Sequence, residues 1–295
     1  MDSKSLLALL CEEKITIFPG VYDGYSARLV AGSGFETATI SGAGLSESRL
    51  GWADRGILTF KDNVNACAEI ASCCDLKLVA DADTGYGNAV NVHFTVKAFE
   101  RTGVHCLSIE DQVFPKRCGH MSGKRLISLE EAKDKIKAAV DARVSDKFLI
   151  RARTDAANVD GLNAAIDRLG AYIDCGADCV FADAINTADE IKAITNVIAK
   201  PLFVNMGFGL RKRPTTPLIS PSDLESMGVK AVSYPRLLTS AAVRGMRRAM
   251  EVFNSDVVGK GLTLDRPDLA VDFEELNELV GLDFLSSLEG RFVRD

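Results

Sequence analysis

The strongest constraint on the fold is an alternation of short apolar runs with helical patterns, which repeats eight times along the 295 residues of the chain. A short apolar run is typical of a buried strand, and apolar residues spaced three or four apart are typical of an amphipathic helix. We predict strands at residues 15–18, 37–41, 77–80, 105–109, 148–152, 179–181, 201–204 and 231–233. Eight such units favour parallel pairing with right-handed crossovers, and hence a closed (β/α)8 barrel of the TIM type.

The helices that connect these strands follow from the same pattern. We predict them at residues 27–31, 61–74, 90–101, 129–143, 162–175, 188–198, 221–227 and 239–253. A further helix over residues 2–13, with Ser3 or Ser5 as its cap, precedes the first strand. Pro19 and Gly20 are expected to end that strand.

The chain continues past the last barrel helix. Residues 273–280 and 284–292 are predicted to form two short amphipathic helices. We therefore divide the chain into a barrel domain, residues 1–255, and a C-terminal helical extension, residues 256–295. An extension of this length is expected to pack on a partner subunit.

Composition narrows the class of function. The net charge of −6 argues against a general nucleic-acid surface, which needs a basic face. No apolar run approaches the roughly 18 residues that a membrane span needs, and the first residues lack the apolar core of a secretory signal. The eight cysteines indicate reduced thiols in a cytoplasmic protein. A zinc site is the alternative, but the sequence has neither a Cys-x2-Cys nor a His-x3-His pair.

Acidic side chains follow the predicted strands. Because the carboxyl ends of the strands of such a barrel meet on one face, we expect the residues after each strand to converge there. Carboxylate oxygens are the ligands that Mg2+ prefers, and Mg2+ keeps positions open for a substrate, so a magnesium site is predicted at this face. The residues that follow the strands, and are expected to converge on this face, are Asp23, Ser41, Gly42, Ala43, Asp81, Asp83, Glu110, Asp111, Arg153, Asp155, Asp183, Asn205 and Tyr234.

Each strand-end residue also has a structural interpretation. An Asp after a strand can simply cap the next helix, although the pair Asp81 and Asp83 in Asp-Ala-Asp-Thr-Gly-Tyr-Gly favours ligands. Arg153 can bind a substrate carboxylate through two hydrogen bonds, or it can be a structural partner of Asp155. The backbone N–H groups around Gly42 can stabilise a developing oxyanion.

A second informative element is the segment Lys116-Arg-Cys-Gly-His120. Lys116 and Arg117 flank Cys118, and neighbouring cations are expected to lower the pKa of this thiol. Such a thiol or thiolate can act as a general acid or base. The alternative is a free cysteine in a loop, with His120 beside it.

Together these motifs resemble the isocitrate lyase/phosphoenolpyruvate mutase superfamily over roughly residues 5–250. The resemblance implies a (β/α)8 barrel whose eighth helix is swapped between subunits, usually in a homo-oligomer that is a dimer of dimers. The matching segments are Pro19-Gly-Val-Tyr-Asp23, Ser41-Gly-Ala-Gly, Leu50-Gly-Trp-Ala-Asp54, Asp81-Ala-Asp-Thr-Gly-Tyr-Gly87, Ile109-Glu-Asp-Gln112, Lys116-Arg-Cys-Gly-His120 and Ala152-Arg-Thr-Asp155.

The resemblance also implies a site. It places Mg2+ or Mn2+ at Asp81 and Asp83, with Glu110 nearby through water. The expected contacts to a small carboxylate substrate are Ser41, Gly42, Ala43, Gly119, Arg153, Asp183 and Asn205. The expected catalytic residues are Cys118, Asp54, Lys116 and His120.

The Lys-Arg-Cys-Gly-His segment is similar to the signature of the members that cleave carbon–carbon bonds, such as 2-methylisocitrate lyase and 2,3-dimethylmalate lyase. We therefore expect a Mg2+-dependent lyase that cleaves a 2-hydroxy di- or tricarboxylate to an α-keto acid such as pyruvate and a second carboxylate. Cys118, on a mobile loop, would protonate the departing carbon. The alternatives are a carboxyphosphonoenolpyruvate phosphonomutase, which the chain also resembles, an oxaloacetate hydrolase or decarboxylase, and a barrel that has lost its chemistry.

Two segments depart from the family pattern. Members usually carry Glu after the sixth strand, whereas this chain has Asp183, which is one methylene shorter. The segment at 205–217 is longer than the corresponding family segment. It lacks the Glu that members usually carry there and adds Arg211, Lys212 and Arg213. In the family these positions face the distal end of the substrate, so we expect a different or more anionic distal group. The alternative is that the three cations lie on a solvated loop.

Overall fold

The computed structural model of the chain describes residues 4–208, 215–263 and 265–294. Eight parallel strands close into a barrel in sequence order, and the eighth pairs with the first. This confirms the predicted TIM-type fold. The strands are β1 (Thr16–Val21), β2 (Thr37–Ile40), β3 (Lys77–Asp81), β4 (Cys106–Glu110), β5 (Leu149–Thr154), β6 (Cys179–Ala182), β7 (Leu202–Asn205) and β8 (Ala231–Tyr234).

Helices connect the strands and cover most of the barrel. A π-helical turn, Ser46–Leu50, follows α3 directly, and a second, Phe253–Val258, extends α10. Except for α3, which was not predicted, the helices lie within a few residues of the predicted ones. They are α1 (Leu6–Leu10), α2 (Gly24–Gly32), α3 (Gly42–Leu45), α4 (Phe60–Cys73), α5 (Ala89–Glu100), α6 (Leu129–Ala142), α7 (Leu162–Asp174), α8 (Ala188–Thr195), α9 (Pro221–Ser226), α10 (Leu237–Val252), α11 (Phe273–Leu279) and α12 (Leu282–Phe292).

Local sequence explains where several elements begin. Thr59 caps α4 and exchanges hydrogen bonds with Asp62, and Thr187 and Glu190 form the same capping box at α8. The strands β2 and β6 are buried at every residue, because both faces of a barrel strand are covered, one by the interior and one by helices.

The first strand does not end where the sequence suggested. It continues through Pro19 and Gly20 to Val21, with Pro19 paired to Tyr234 and Gly20 paired to Thr39. Proline fixes φ near a value that extended backbone tolerates and removes only one hydrogen-bond donor, so it need not terminate a strand. Glycine is required at position 20, because a Cβ there would lie 2.5 Å from the carbonyl oxygen of Pro235.

The helix predicted over residues 2–13 is shorter than expected, and it closes the amino-terminal end of the barrel. Ser5 caps α1, as one of the two predicted caps, and Leu6 and Leu10 are fully buried. They pack in one cluster with the interior side chains Phe18 and Phe203. With that end filled by apolar side chains, the polar strand ends are confined to the opposite, carboxyl face.

The eighth barrel helix, α10, buries none of its residues. Its exposed apolar side chains include Val243, Met246 and Met250, and Phe253 follows them.

The C-terminal extension contacts the barrel at α2. Arg28 of α2 donates a hydrogen bond to the carbonyl oxygen of Leu279 at the end of α11, 3.4 Å away. Within residues 4–208, 215–263 and 265–294, no helix has the length and apolar character needed to cross a membrane.

Candidate active site

A cavity of about 260 Å³ opens at the carboxyl ends of the strands. Most of the predicted site residues line it directly. Gly42, Asp83, Lys116 and Glu110 are not in its wall but lie against residues that are. The lining residues are Ser41, Ala43, Asp54, Asp81, Cys118, Gly119, His120, Met121, Arg153, Asp183, Asn205, Met206, Gly207, Phe208, Pro235, Arg236 and Leu237.

The turn after β3 holds the two predicted metal ligands. The Asp81 carboxylate accepts a hydrogen bond from the backbone N–H of Asp83 at 3.0 Å, and Asp83 has the left-handed φ of 50°. The backbone carbonyl of Asp83 accepts a hydrogen bond from the N–H of Glu110 at 2.9 Å, which ties this turn to the end of β4. Non-glycine residues with positive φ are strained, and such strain is typical of functional sites.

Gly42 leaves space in front of these acids. A Cβ at Gly42 would lie 3.0 Å from Asp81 Oδ2 and 3.4 Å from Asp83 Oδ1, so both carboxylates face one point beside the α3 N-terminus. Ser41 begins that helix, and its hydroxyl accepts a hydrogen bond from the N–H of Gly44 at 3.0 Å. The small residues therefore let backbone approach the acid pair closely.

Lys116 joins Asp83 to Asp54. Its buried ammonium lies 2.7 Å from Asp83 Oδ1 and 2.8 Å from Asp54 Oδ1. Burial raises the pKa of Asp83 to about 7, against the opposing effect of Lys116. Burial lowers the pKa of Lys116, but Asp83, Glu110 and Asp54 outweigh it and hold that pKa well above its usual value. The ammonium therefore stays charged and fixes Asp54 in the cavity wall.

Arg153 carries the positive charge of the opposite wall. Its Nε lies 2.9 Å from Asp155 Oδ2 and 3.2 Å from Glu110 Oε2, and its Nη2 lies 2.6 Å from Asp183 Oδ2. Burial raises the pKa of Glu110 well above its usual range, against the charge of Arg153. Arg153 is thus both a cavity residue and a structural partner of Asp155.

Two of the strand-end acids are anchors. Asp111 accepts hydrogen bonds from Thr154 at 2.6 Å, from Tyr172 at 2.8 Å and from Arg168 at 3.2 Å. Asp155 receives Lys124 at 2.8 Å as well as Arg153. These two carboxylates are saturated with donors and lie outside the cavity wall, so they hold the ends of β4 and β5 in place.

The environment of Cys118 differs from the one that the sequence suggested. Lys116 points to Asp54 and Asp83, and Arg117 donates to the carbonyl oxygen of Ser122 at 2.8 Å. Burial raises the pKa of the Cys118 thiol above its usual value, although Arg236, whose Nη2 is 3.8 Å from Sγ, opposes the shift. The prediction of a lowered thiol pKa was therefore wrong, because neighbours in the sequence direct their charges elsewhere. At neutral pH Cys118 carries its proton.

The loop that carries Cys118 packs down on the site. A Cβ at Gly119 would lie 2.7 Å from Arg153 Nη2 and 2.8 Å from Asp183 Cγ. Lys124 reaches from the same loop to the carbonyl oxygen of Gly119 at 2.6 Å. On the far side, His120 Nδ1 lies 2.6 Å from the hydroxyl of Thr215. The loop is thus held over the cavity in a closed arrangement.

The distal wall of the cavity is largely apolar and was not predicted. It contains Met121, Met206, Phe208 and Leu237. Arg236 also lies there, but Glu47 binds its Nη1 with both oxygens, at 2.6 and 2.7 Å. The sequence signal for Arg236 was its position two residues after β8, beside the Tyr234 that we named. Arg211, Lys212 and Arg213 lie outside the described residues.

The acids suit a divalent cation. Among the described residues, Lys116 is the cation within ion-pair distance of Asp54 and Asp83. Asp83 Oδ1 and both Glu110 oxygens are buried and accept no well-oriented hydrogen bond, although cations lie near them. In the part of the chain that the structure describes, no three His, Cys, Asp or Glu side chains form a metal cluster by themselves. Mg2+ is usually held by one or two carboxylates and several waters, so Asp81 and Asp83 fit it as a pair.

Comparison with known proteins agrees with this architecture. A family model described as phosphoenolpyruvate phosphomutase matches residues 6–253. The chain is 37% identical over 284 residues to 2,3-dimethylmalate lyase of Eubacterium barkeri, covering 96% of each protein. It is 38% identical over 275 residues to 2-methylisocitrate lyase of Salmonella typhimurium, covering 92% of this chain and 90% of that protein. The structure of an oxaloacetate acetylhydrolase bound to 3,3-difluorooxalacetate superposes with a TM-score of 0.89 at 31% identity, covering 97% of this chain and 95% of that one.

Proposed function

The chain belongs to the phosphoenolpyruvate mutase/isocitrate lyase superfamily of enzymes, and from this premise we propose that it is a Mg2+-dependent carbon–carbon lyase. Its substrate is a 2-hydroxy di- or tricarboxylate, and its products are an α-keto acid such as pyruvate and a second carboxylate. The observation that carries this proposal is the position of the Cys118 thiol in the same cavity as Arg153 and Asp81.

Cys118 is suited to protonate the carbon that leaves. A general acid must hold its proton until the transition state, and the raised pKa of this buried thiol meets that need. The thiolate that remains then lies 3.8 Å from the Arg236 guanidinium, which Glu47 holds with two hydrogen bonds. Arg236 is therefore placed to stabilise the product thiolate until it is protonated again.

The opposite part of the cavity is suited to hold the α-keto acid. Asp81 and Asp83 would hold the metal, with Glu110 behind them, and Mn2+ could replace Mg2+. When bound, the cation supplies a Lewis acid that lowers the pKa of the substrate 2-hydroxyl group. Arg153 would bind the carboxylate, and the backbone around Ser41, Gly42 and Ala43 would meet the neighbouring oxygen.

The remaining predicted residues position these groups. Lys116 fixes Asp54 at the cavity wall, and Asp183 and Asn205 hold the side of the cavity next to Arg153. Gly119 gives the loop room to close on Arg153. His120 ties the loop to Thr215 and so acts through loop position.

The distal wall favours a substrate of the 2,3-dimethylmalate type. Met121, Met206, Phe208 and Leu237 would contact an alkyl group, and burial of each methylene contributes about 0.8 kcal/mol. Arg236 already has its charge matched by Glu47, so a third carboxylate would find little compensation among the described lining residues. The likeness to a 2,3-dimethylmalate lyase is compatible with this choice, and the comparable likeness to 2-methylisocitrate lyases keeps a tricarboxylate in the substrate panel.

The decisive experiment is pyruvate release, coupled to lactate dehydrogenase, from 2,3-dimethylmalate, other 2-alkylmalates, 2-methylisocitrate and oxaloacetate. We expect turnover of the alkylmalates with Mg2+ and loss of turnover with EDTA. Because the likeness to oxaloacetate acetylhydrolase favours a second activity, acetate and oxalate are measured from oxaloacetate in parallel. If no compound is cleaved with Mg2+ present, the lyase proposal is wrong, and formation of a C–P bond from a phosphonate precursor becomes the activity to assay.

We also propose that the enzyme is a homo-oligomer in which α10 packs against another subunit. The support is the unburied apolar face of α10, with Met246 and Met250 more than half exposed. Light scattering after size exclusion should give a mass of at least twice 31.8 kDa. A monomer at micromolar concentration would contradict this assignment.

A further inference from the structure

Behind the loop that carries Cys118 lies a second cavity of about 260 Å³, separate from the one described above. The two cavities share no lining residue. Basic side chains dominate the second one, and no acidic residue lines it. Its lining residues are Arg55, Gln112, Val113, Pro115, Lys116, Arg117, Gly123, Lys124 and Arg125.

Three of these cations have no carboxylate partner among the described residues, although Arg117 donates a hydrogen bond to the carbonyl oxygen of Ser122. Lys116 and Lys124 are ion-paired with buried acids. No acid within the described residues forms an ion pair with Arg55, Arg117 or Arg125, although other surface arginines of the chain, such as Arg49 and Arg266, do have such partners. Like charges around one small cavity repel one another, and a bound anion removes that repulsion.

The three arginines come from two different segments of the chain. Arg55 belongs to the turn that carries Asp54, and Arg117 and Arg125 belong to the loop that carries Cys118. These segments already touch. The N–H of Cys118 donates to the carbonyl oxygen of Asp54 at 3.3 Å, and a Cβ at Gly56 would lie 3.0 Å from the backbone nitrogen of Lys116. An anion held by all three arginines would join the two segments that close the active-site cavity.

The base of this cavity is rigid. The Gln112 side chain donates to the carbonyl oxygen of Arg117 at 2.8 Å and accepts from its N–H at 3.0 Å. The N–H of Val113 donates to the carbonyl oxygen of Arg125 at 2.8 Å, which fixes the two sides of the loop. The backbone positions of Arg117 and Arg125 are therefore fixed by contacts within the protein.

We propose that Arg55, Arg117 and Arg125 form a binding site for a phosphate group, and that its occupation stabilises the closed position of the Cys118 loop. Guanidinium groups bind phosphate oxygens through paired hydrogen bonds, which matches a dianion with several acceptor oxygens. The cavity is below the usual size of sites for drug-sized ligands, so it suits inorganic phosphate or a small phosphomonoester. The site acts on the reaction only through the loop.

Calorimetry with inorganic phosphate, on enzyme treated with EDTA and at constant ionic strength, tests the site without any turnover. We expect saturable binding of one phosphate per chain, weakened about tenfold or more by Arg55→Ala and by Arg125→Ala. Arg101→Ala, at an exposed arginine outside this cavity, is the matched control and should bind as the wild type does. Glycerol phosphate is titrated in parallel: tighter binding than phosphate identifies a phosphomonoester as the ligand class, equal binding identifies free phosphate, and both support the site.

Three results would overturn the proposal. One is the absence of saturable binding up to about 10 mM phosphate. Another is unchanged affinity in both arginine variants, and the third is displacement of phosphate by saturating oxalate with Mg2+, which would place the anion in the active site. The effect on the loop is read from alkylation of Cys118 by iodoacetamide, followed by peptide mass spectrometry. Phosphate should slow this alkylation in the wild type and not in Arg55→Ala, and equal rates with and without phosphate in the wild type would refute the link to loop closure.

Discussion

Replacing Gly119 by alanine should separate catalysis from folding. The added Cβ would lie 2.8 Å from Asp183 Cγ and 2.7 Å from Arg153 Nη2, whereas ordinary carbon contacts are about 3.5–4.0 Å. Because the added Cβ would also overlap Asp183 Oδ2, the loop must move outward by at least about 1 Å, and a displacement of that size at a reacting group costs about 100-fold in rate. At 1.36 kcal/mol for each factor of ten, this is about 2.7 kcal/mol of lost transition-state stabilisation.

The assay is kcat/KM for pyruvate release, together with the melting temperature. We expect kcat/KM to fall about 100-fold while the melting temperature stays within about 2 °C, since the change is confined to a loop over a cavity. Gly170→Ala is the matched control, because a Cβ at that helical position meets no atom within 4 Å. If Gly119→Ala keeps kcat/KM within about threefold of the wild type, close packing of the loop on Arg153 is not required for catalysis.

Two further perturbations test the electrostatics of the site. Asp155→Asn leaves Arg153 and Lys124 buried with less compensation, so the melting temperature should fall by roughly 6–12 °C. Arg153 and Lys124 outweigh burial and hold the pKa of Asp155 below its ordinary value. The difference in stability between the wild type and Asp155→Asn should therefore be full above about pH 5 and shrink as the pH falls below about 4. A difference that grows in acid would contradict this. Because burial raises the pKa of Cys118, its alkylation rate should still be rising above pH 8.5 or so, whereas a plateau by about pH 7 would indicate a thiolate.

The barrel was predictable because the sequence pattern that indicates it repeats along the chain. Each strand is short, apolar and followed by a helical pattern, and eight repeats leave few other topologies. The position of the site was predictable for a related reason: parallel strands in a closed barrel present all their carboxyl ends on one face, so Asp81 in β3 and Arg153 in β5 had to lie on the same face. Strand bounds missed by a few residues, as at Pro19, where backbone conformation mattered more than residue class.

The direction in which long side chains point was not predictable. Lys116 and Arg117 flank Cys118 in sequence, yet the ammonium of Lys116 is directed to Asp54 and Asp83 and the guanidinium of Arg117 to a backbone carbonyl. The cation that does contact the thiol, Arg236, follows β8 and lies 118 residues later in the sequence. Such contacts depend on loop packing and on competition among buried charges, neither of which leaves a periodic signal in the sequence.

The same limit applies to the distal wall. Met121 lies in the connection after β4, whereas Met206 and Phe208 lie in the connection after β7, and nothing in their spacing indicates that they meet. Asp183, by contrast, was named from its place after β6, and the structure places it beside Arg153. Residues at strand ends were therefore found from the topology, whereas loop residues were found only where the family resemblance named them, as at Cys118 and His120.

The central claim is that Cys118 donates a proton to carbon in a reaction that otherwise depends on the acid cluster. The most direct measurement is cleavage of 2,3-dimethylmalate by Cys118→Ser, paired with calorimetric binding of oxalate in the presence of Mg2+. We predict that cleavage falls by about 1,000-fold or more while the affinity for oxalate changes by less than about threefold. Cleavage near the wild-type rate, or an equal loss of cleavage and oxalate binding, would contradict the assignment of Cys118 as the proton donor.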